Sequence, residues 1–340
     1  MVALKDIAHL CGVSTATVSK ALNGHPDIGE STRMRIQKAA DEMGYLPNSA
    51  ARALKTDRSY NLGVLFVDEQ QSGLTHEFFS AVLDSFKVEA EVHGYDITFI
   101  SHNTGGRART YLQHCLYRGV DGVMIACVDF CAPQVQDLVN SSIPVVTIDH
   151  VFNNRMAVLS DNVEGVDALV RYVYAQGHRK IAFIHGERTS VTEKRLSSFY
   201  RTCEALGVDV PDAYVLESPY HDGLGCKQLT KHILDLPDRP TCILFPDDYS
   251  YIGGLSAIEE AGLKVPDEIS AVGYDGIYLS RLLHPALTTY QQNTKALGQV
   301  AAQKLIDLIE HPRSTLAEQI VVSGQLLIGN SVGAPAKQRR

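Results

Sequence analysis

The spacing of apolar residues changes character once along the chain, near residue 60. Before that point it follows a helical period. Residues 5–11 place Ile7, Ala8 and Cys11 on one face, and Leu4 extends that face by a turn. Gly12-Val13-Ser14 breaks the pattern, and Ser14 can cap a second helix over 15–22 whose inward residues are Val18 and Leu22. Beyond the loop Asn23-Gly24-His25-Pro26, Ser31 starts a third helix with Ile36, Ala39, Ala40 and Met43 on one side, ending at Gly44. Two short helices joined by a Gly-containing turn, with a third packing across them, form a helix-turn-helix pattern. Pro47 separates this head from residues 48–55, where Asn48 is a good N-cap and three alanines favour helix. Eight residues fall short of the ~12–15 that an isolated helix needs in water. The segment therefore reads as a linker that is helical only when something else holds it, and Leu54 lies on it with no visible core partner.

From residue 62 onward, short β-branched or aliphatic runs alternate with amphipathic stretches. The runs predict strands over 62–67, 97–100, 122–126, 145–148, 180–184, 214–217, 242–245 and 269–272. The stretches predict helices over 78–92, 163–176, 193–206, 250–261 and 297–309. Strand and helix in alternation imply a parallel sheet covered on both faces. About 270 residues of this pattern exceed what one sheet usually holds, so two lobes are expected. In open parallel sheets the ligand crevice lies beyond the carboxyl ends of the strands, and two such lobes facing each other make a cleft.

Charge sharpens the division. The 340 residues carry a net charge of −8, but residues 1–58 are net +2 and the rest −10. A basic head on an acidic body suggests a polyanion-binding module attached to something else. No run approaches the ~18 consecutive apolar residues of a membrane helix. The N-terminus carries charge at Lys5 and Asp6 with no apolar signal core. Seven scattered cysteines fit a reducing compartment, and the Cys127/Cys131 pair reads as core packing rather than zinc ligation. A soluble, cytoplasmic protein without metal or cofactor is expected. Glycine-rich phosphate loops, nucleophile elbows and metal-ligand clusters are missing from the sequence, which argues against an enzyme. His178, after Gly177, reads as a cap or surface residue. An exported solute-binding protein is disfavoured by the basic head and the charged N-terminus.

Several ordered segments carry a resemblance. They include Leu4-Lys5-Asp6-Ile7-Ala8, the run from Gly12 to Asn23, Gly44-Tyr45-Leu46-Pro47-Asn48 and Ala51-Arg52-Ala53-Leu54-Lys55. Ser160-Asp161-Asn162, Gly177-His178-Arg179-Lys180, Val265-Pro266-Asp267-Glu268, Gly273-Tyr274-Asp275 and Pro285-Ala286-Leu287-Thr288-Thr289 continue it. In this order they resemble the LacI/GalR family of transcriptional regulators. The resemblance implies an all-α helix-turn-helix head over 1–46 and a hinge helix and linker over 47–60. It also implies an α/β, two-lobed periplasmic-binding-protein-like core with parallel sheets over 61–335. Its lobes would be 61–160 with roughly 290–320, and 161–289 with roughly 321–335. The sequence departs from the family at Ala3, where many relatives have a capping Thr, and at Lys20, where Arg is commoner. It departs again at His76-Glu77, where an Asn-Pro precedes the two aromatics.

The resemblance implies a homodimer bound to pseudo-palindromic double-stranded operator DNA. A recognition helix meets base edges with its N-terminal residues, so Thr15, Ala16 and Lys20 are the candidate readers. Ser14, Thr17, Ser19, Asn23, Tyr45 and Asn48 would hold phosphates, which position without specifying sequence. Arg52 and Lys55 flank Leu54, which the resemblance makes a wedge in the minor groove. Asp161, Arg195, Asp247 and Asp275 match ligand-contacting positions of sugar-responsive relatives. Tyr220, Phe78 and Phe79 supply apolar walls. Thr189 and Val191 stand where purine-responsive relatives carry Arg and Thr, which disfavours a purine. The expected function is a repressor of carbohydrate catabolism genes released by a small sugar. The alternative is a corepressor-dependent repressor or activator responding to a nucleoside or other metabolite.

Overall fold

The computed structural model describes residues 2–46, 58–67 and 73–335. The chain divides into two compact units, Met1–Ser59 and Tyr60–Arg340. In the first, α1 (Leu4–Cys11), α2 (Thr15–Leu22) and α3 (Glu30–Glu42) close on a small core of Ile7, Ala8, Cys11, Val18, Ala21, Ile36, Ala39 and Ala40. Ala21, rather than Leu22, is the second inward residue of α2; Leu22 packs half-buried at the rim. The missing Thr at position 3 is partly offset, because Asp6 Oδ2 accepts the Ala3 N–H at 2.8 Å. Gly12 ends α1 at φ 64°, a left-handed position that favours glycine.

The second unit holds two similarly wound lobes. The first lobe contains β1 (Asn61–Phe66), α4 (Glu77–Val92), β2 (Asp96–Phe99), a hairpin of β3 (Asn103–Thr104) and β4 (Arg107–Ala108), and α5 (Tyr111–Arg118). It continues through β5 (Gly122–Ala126), α6 (Pro133–Val139), β6 (Val145–Ile148) and β7 (Met156–Ser160). The second lobe contains α7 (Asn162–Ala175), β8 (Ile181–His185), α8 (Ser190–Ala205), β9 (Val215–Glu217), α9 (Gly223–Leu234) and β10 (Cys242–Leu244). It adds α10 (Asp248–Glu260), β11 (Ser270–Asp275), α11 (Tyr278–Leu282) and β12 (Thr288–Gln291). The chain then returns to the first lobe with α12 (Thr294–Glu310) and β13 (Gln319–Val322), and ends in the second with β14 (Gln325–Leu327).

The first sheet has the order β13-β7-β6-β5-β1-β2 with every pair parallel. The second has the order β14-β12-β11-β10-β8-β9, antiparallel only between β12 and β14. Central strands such as β5, β6, β7 and β8 are buried along their whole length, as parallel strands covered by helices on both faces must be. The chain passes between lobes after β7, after β12 and after β13, so the last passage falls two residues beyond the expected 320/321 boundary. His178 is a buried staple and not a surface residue: Nδ1 pairs with Thr241 Oγ1 at 2.8 Å and Nε2 with the Gly333 carbonyl at 2.9 Å. Burial pushes its imidazole pKa down to about 4.

Candidate functional site

The head presents α2 with Thr15, Ala16 and Lys20 exposed and Thr17 and Ser19 half-buried. Ser14 Oγ accepts the Thr17 N–H at 3.1 Å and so caps the helix. Lys20 Nζ lies 2.6 Å from Asp27 Oδ2 across the following loop, and that hydrogen bond holds the Asp27 carboxyl below its usual pKa. A base edge approaching Lys20 must therefore compete with Asp27. Asn23 Nδ2 donates to the Ser19 carbonyl at 2.6 Å, closing the helix rather than projecting freely. Tyr45 is half-buried against the head core. Asn48, Arg52, Leu54 and Lys55 lie outside the described residues.

Between the lobes of the second unit lies a cavity of about 610 Å³. Its lining follows the carboxyl ends of the strands: Val67 after β1, Cys127 after β5, Asp149 after β6, Glu187 after β8, Asp275 at the end of β11 and Gln292 after β12. The first lobe supplies mostly rings. Phe79 lies 4.9 Å from Phe78 and 5.5 Å from Phe66, centroid to centroid. Phe130 and His150 stack at 4.1 Å with planes 4° apart. Cys127 is half-buried and Cys131 exposed on this wall, so the expected core packing of the pair is not what the fold makes of it.

The second lobe supplies the polar floor. Arg195, 5% exposed, donates from Nε to Asn162 Oδ1 at 2.8 Å and from Nη1 to the Pro246 carbonyl at 3.0 Å. Its guanidinium lies 3.6 Å from the Tyr274 ring centroid, and Nη2 faces Asp275 Oδ1 at 4.0 Å. Burial raises the Asp275 carboxyl to a pKa of about 6, against the opposing pull of Arg195. Gln292 Nε2 donates to Asp275 Oδ1 at 2.7 Å. Tyr220 is placed by three contacts: its N–H bonds Glu187 Oε2 at 2.8 Å, its hydroxyl meets Thr192 Oγ1 at 2.9 Å, and its ring lies on Gly186. A Cβ at Gly186 would come within 2.1 Å of that ring.

Of the expected effector residues, Phe78, Phe79, Arg195, Tyr220 and Asp275 line the cavity, whereas Asp161 and Asp247 do not. Both of the latter cap helices. Asp161 Oδ1 accepts the Glu164 N–H at 2.9 Å at the start of α7. Asp247 Oδ1 accepts the Ser250 N–H at 2.7 Å at the start of α10, and its Oδ2 takes the His221 N–H at 2.9 Å. An aspartate ahead of a helix satisfies orphan amide donors as readily as it would a sugar hydroxyl. The residues that sequence reasoning missed are Asp149, Phe130, His150, His76, His221 and Gln292. His76 and His221 meet across the cleft, from opposite lobes, at 3.8 Å between centroids. Ser190 Oγ also spans it, donating to the Asp149 carbonyl at 3.0 Å. Among the described residues no group of three or more His, Cys, Asp or Glu could hold a metal ion. No described helix is long and apolar enough to cross a membrane.

A helix-turn-helix unit followed by a two-lobed sensor with a cleft between its lobes defines a ligand-responsive, DNA-binding regulator. Residues 3–48 match the bacterial regulatory proteins of the lacI family, and residues 170–332 the periplasmic binding protein-like domain. The HTH-type transcriptional repressor PurR of Vibrio vulnificus is 30% identical over 318 residues, covering 91% of this chain and 92% of that protein. The repressor of the same name from Mannheimia succiniciproducens is 28% identical over 340 residues, covering 98% and 99%. The lac repressor dimer bound to operator and the anti-inducer ONPF superposes with a TM-score of 0.81 at 25% identity, covering 98% of this chain and 99% of that one. The CelR–cellobiose complex shares the fold, with a TM-score of 0.70 at 23% identity over 97% and 100%. The chain belongs to the LacI family and is a DNA-binding transcriptional repressor of the LacI/PurR type. These sequence relatives are transcription regulators and not enzymes. Their names give no support to the carbohydrate specificity expected from the sequence, and the alternative of a nucleoside-type effector fits them better.

Proposed function

We propose that this chain acts in the cytoplasm as a homodimeric repressor whose operator affinity is set by a small, planar ring metabolite of the nucleobase or nucleoside kind. The observation that carries this reading is the make-up of the cavity. A sugar site needs several convergent polar groups for adjacent hydroxyls, and two of the four expected anchors, Asp161 and Asp247, are spent on helix caps. The walls instead carry the rings of Phe78, Phe79, Phe130, His150 and Tyr220, which suit an aromatic ligand. Exposed Val88, Val92, Phe99, Leu116 and Tyr117 on α4, β2 and α5 supply apolar surface for a second copy.

In this reading Thr15, Ala16 and Lys20 face base edges while Ser14, Thr17, Ser19, Asn23, Tyr45 and Asn48 meet the backbone. Arg52, Leu54 and Lys55 serve the minor groove. Genomic DNA fragments enriched on the full-length protein, with and without nucleobases or sugars, test the proposal. Pseudo-palindromic sites whose recovery changes with a nucleobase or nucleoside support it, and the direction of change separates inducer from corepressor. Sites that respond to sugars alone would overturn the ring reading. Leu54→Ala should abolish specific recovery if Leu54 is a wedge; undiminished recovery would remove that role.

A further inference from the structure

The second helix of the head carries its own counter-charge. From Gly12 to Gly29 the only formal charges are Lys20 and Asp27, and they meet: Lys20 Nζ donates to Asp27 Oδ2 at 2.6 Å. α2 and the loop that follows it therefore bring no net cation to a DNA backbone, although the head as a whole is net +2. A helix whose grip rested on phosphates would gain from an unpaired lysine, because each neutralised phosphate releases counterions and adds affinity whatever the sequence.

The carboxylate is held in place by its loop. The His25 N–H bonds the Lys20 carbonyl at 3.0 Å, tying the start of the loop to the last turn of α2. Arg33, from α3, donates through Nη2 to the carbonyls of His25 at 2.9 Å and Ile28 at 3.3 Å, and so brackets Pro26 and Asp27. Ile28 packs against the head core, and the ring of Pro26 fixes its own φ. Asp27 thus sits on a short, pinned loop beside the exposed end of α2. Both charged side chains remain about half exposed, at 48% and 51%, and open to a partner.

An ammonium has three N–H donors and no acceptor, whereas an ionised carboxylate only accepts. With one donor on Asp27, Lys20 keeps two, and the couple presents donors beside an acceptor. In the major groove a G·C pair shows guanine N7 and O6 as neighbouring acceptors, followed by the cytosine N4 amino donor. The free donors of Lys20 match N7 and O6, and Asp27 matches N4. An A·T pair places the adenine N6 donor between the acceptors N7 and O4. When Asp27 takes N6 there, only one Lys20 donor finds an acceptor beside it. A phosphate offers acceptors alone and is repelled by the carboxylate.

We infer that Lys20 and Asp27 read one G·C pair of each operator half-site as a unit, which makes Asp27, outside the recognition helix, a specificity-determining residue. The inference rests on the reading above that Lys20 faces base edges, and adds its partner and the base pair it selects.

Selection of random-sequence duplexes on the full-length protein, with and without nucleobases or sugars, tests it. The salt dependence of binding to a duplex without the selected site supplies a second readout. The parent should select a G·C pair at one position per half-site, and Lys20→Ala and Asp27→Ala should each relax that position by ~5-fold or more while keeping the rest of the site. Asp27→Ala also frees an ammonium for the backbone, so off-site binding should strengthen and its log–log salt slope steepen by about 1. Asp27→Asn, which keeps an oxygen acceptor without the charge, should steepen the slope as much and lose less of the preference. An Asp27→Ala protein with the parent's G·C preference and salt slope would overturn the paired reading while leaving Lys20 a reader. A Lys20→Ala protein with an unchanged selected site would remove Lys20 from the bases, and the couple with it.

Discussion

The two lobes of the sensor are wound alike, each around a six-stranded sheet, yet they bring opposite chemistry to the cleft they share. The first lobe offers rings from Phe78, Phe79, Phe130 and His150, with the half-buried Asp149 as its carboxylate. The second offers Arg195, Asp275, Gln292 and Tyr220, each tied to its own lobe by short hydrogen bonds or close ring contacts. Such a division separates two tasks. A preorganised polar floor can orient a ligand before the cleft closes, and an apolar wall gains most of its contact only when it closes. Differential affinity for the closed state is what a ligand needs in order to shift a conformational equilibrium.

Breaking the floor should have the largest effect. Arg195→Ala removes the guanidinium that joins Asn162, the Pro246 carbonyl and Asp275, and leaves a buried carboxylate without its counter-charge. We expect loss of effector response together with a stability decrease of about 3 kcal/mol or more, read by calorimetric titration and chemical denaturation. A variant that still answers the effector would show that the aromatic wall binds unaided.

Asp275→Asn separates the floor's function from its stability. The folded-state pKa of Asp275 is raised to about 6 by burial, so the native state holds this proton more tightly than the unfolded chain. The carboxyl therefore favours folding at low pH, and that contribution is lost as pH rises through about 6. The asparagine variant should lack this part of the pH dependence and be at least as stable as the parent above pH 6. Donor-bearing effectors should bind the parent more weakly as pH falls through 6, where the carboxylate loses an acceptor, and the variant at least ~10-fold more weakly than the parent at pH 7.5. A flat affinity profile in the parent would remove Asp275 from direct contact.

Much of this division was legible in the sequence, and the exceptions have physical reasons. Alternating strand and helix predicted both lobes, and β5 and β6 fall on their expected ranges because buried parallel strands read as unbroken aliphatic runs. β12 escaped notice because Thr-Thr-Tyr-Gln is apolar in packing but not in composition. With it went Gln292, which follows that strand into the cleft. The rule that ligands gather at strand carboxyl ends would also have pointed to Asp149, one residue past β6. Asp161 and Asp247 show the converse limit, since one residue type serves equally as helix cap and ligand anchor until the direction of its carboxylate is known.

A smaller perturbation falls on Tyr220, which Gly186 positions from beneath. Gly186→Ala forces a Cβ into the ring and should push Tyr220 toward the cavity, at a cost of ~1–3 kcal/mol in strain. Effector affinity should drop by roughly ten-fold with operator binding retained. Unchanged affinity would mean that the ring is not a ligand contact.

The smallest expected effect sharpens the comparison most, because it tests closure without touching the floor. At the N-terminus of α4, Glu77 Oε1 accepts the Tyr278 N–H from the second lobe at 2.6 Å, and the neighbouring His76 meets His221. The Glu77 bond is exposed, so its net contribution should be no more than ~1 kcal/mol. Glu77→Ala should therefore leave folding and the polar floor intact, shift the lobes modestly toward the open arrangement and speed effector release by a few-fold, measured by stopped-flow dissociation. Because the floor orients the ligand first, association should scarcely change. A variant that slowed association and left release unaltered would reverse the order of events, making wall contact precede floor contact.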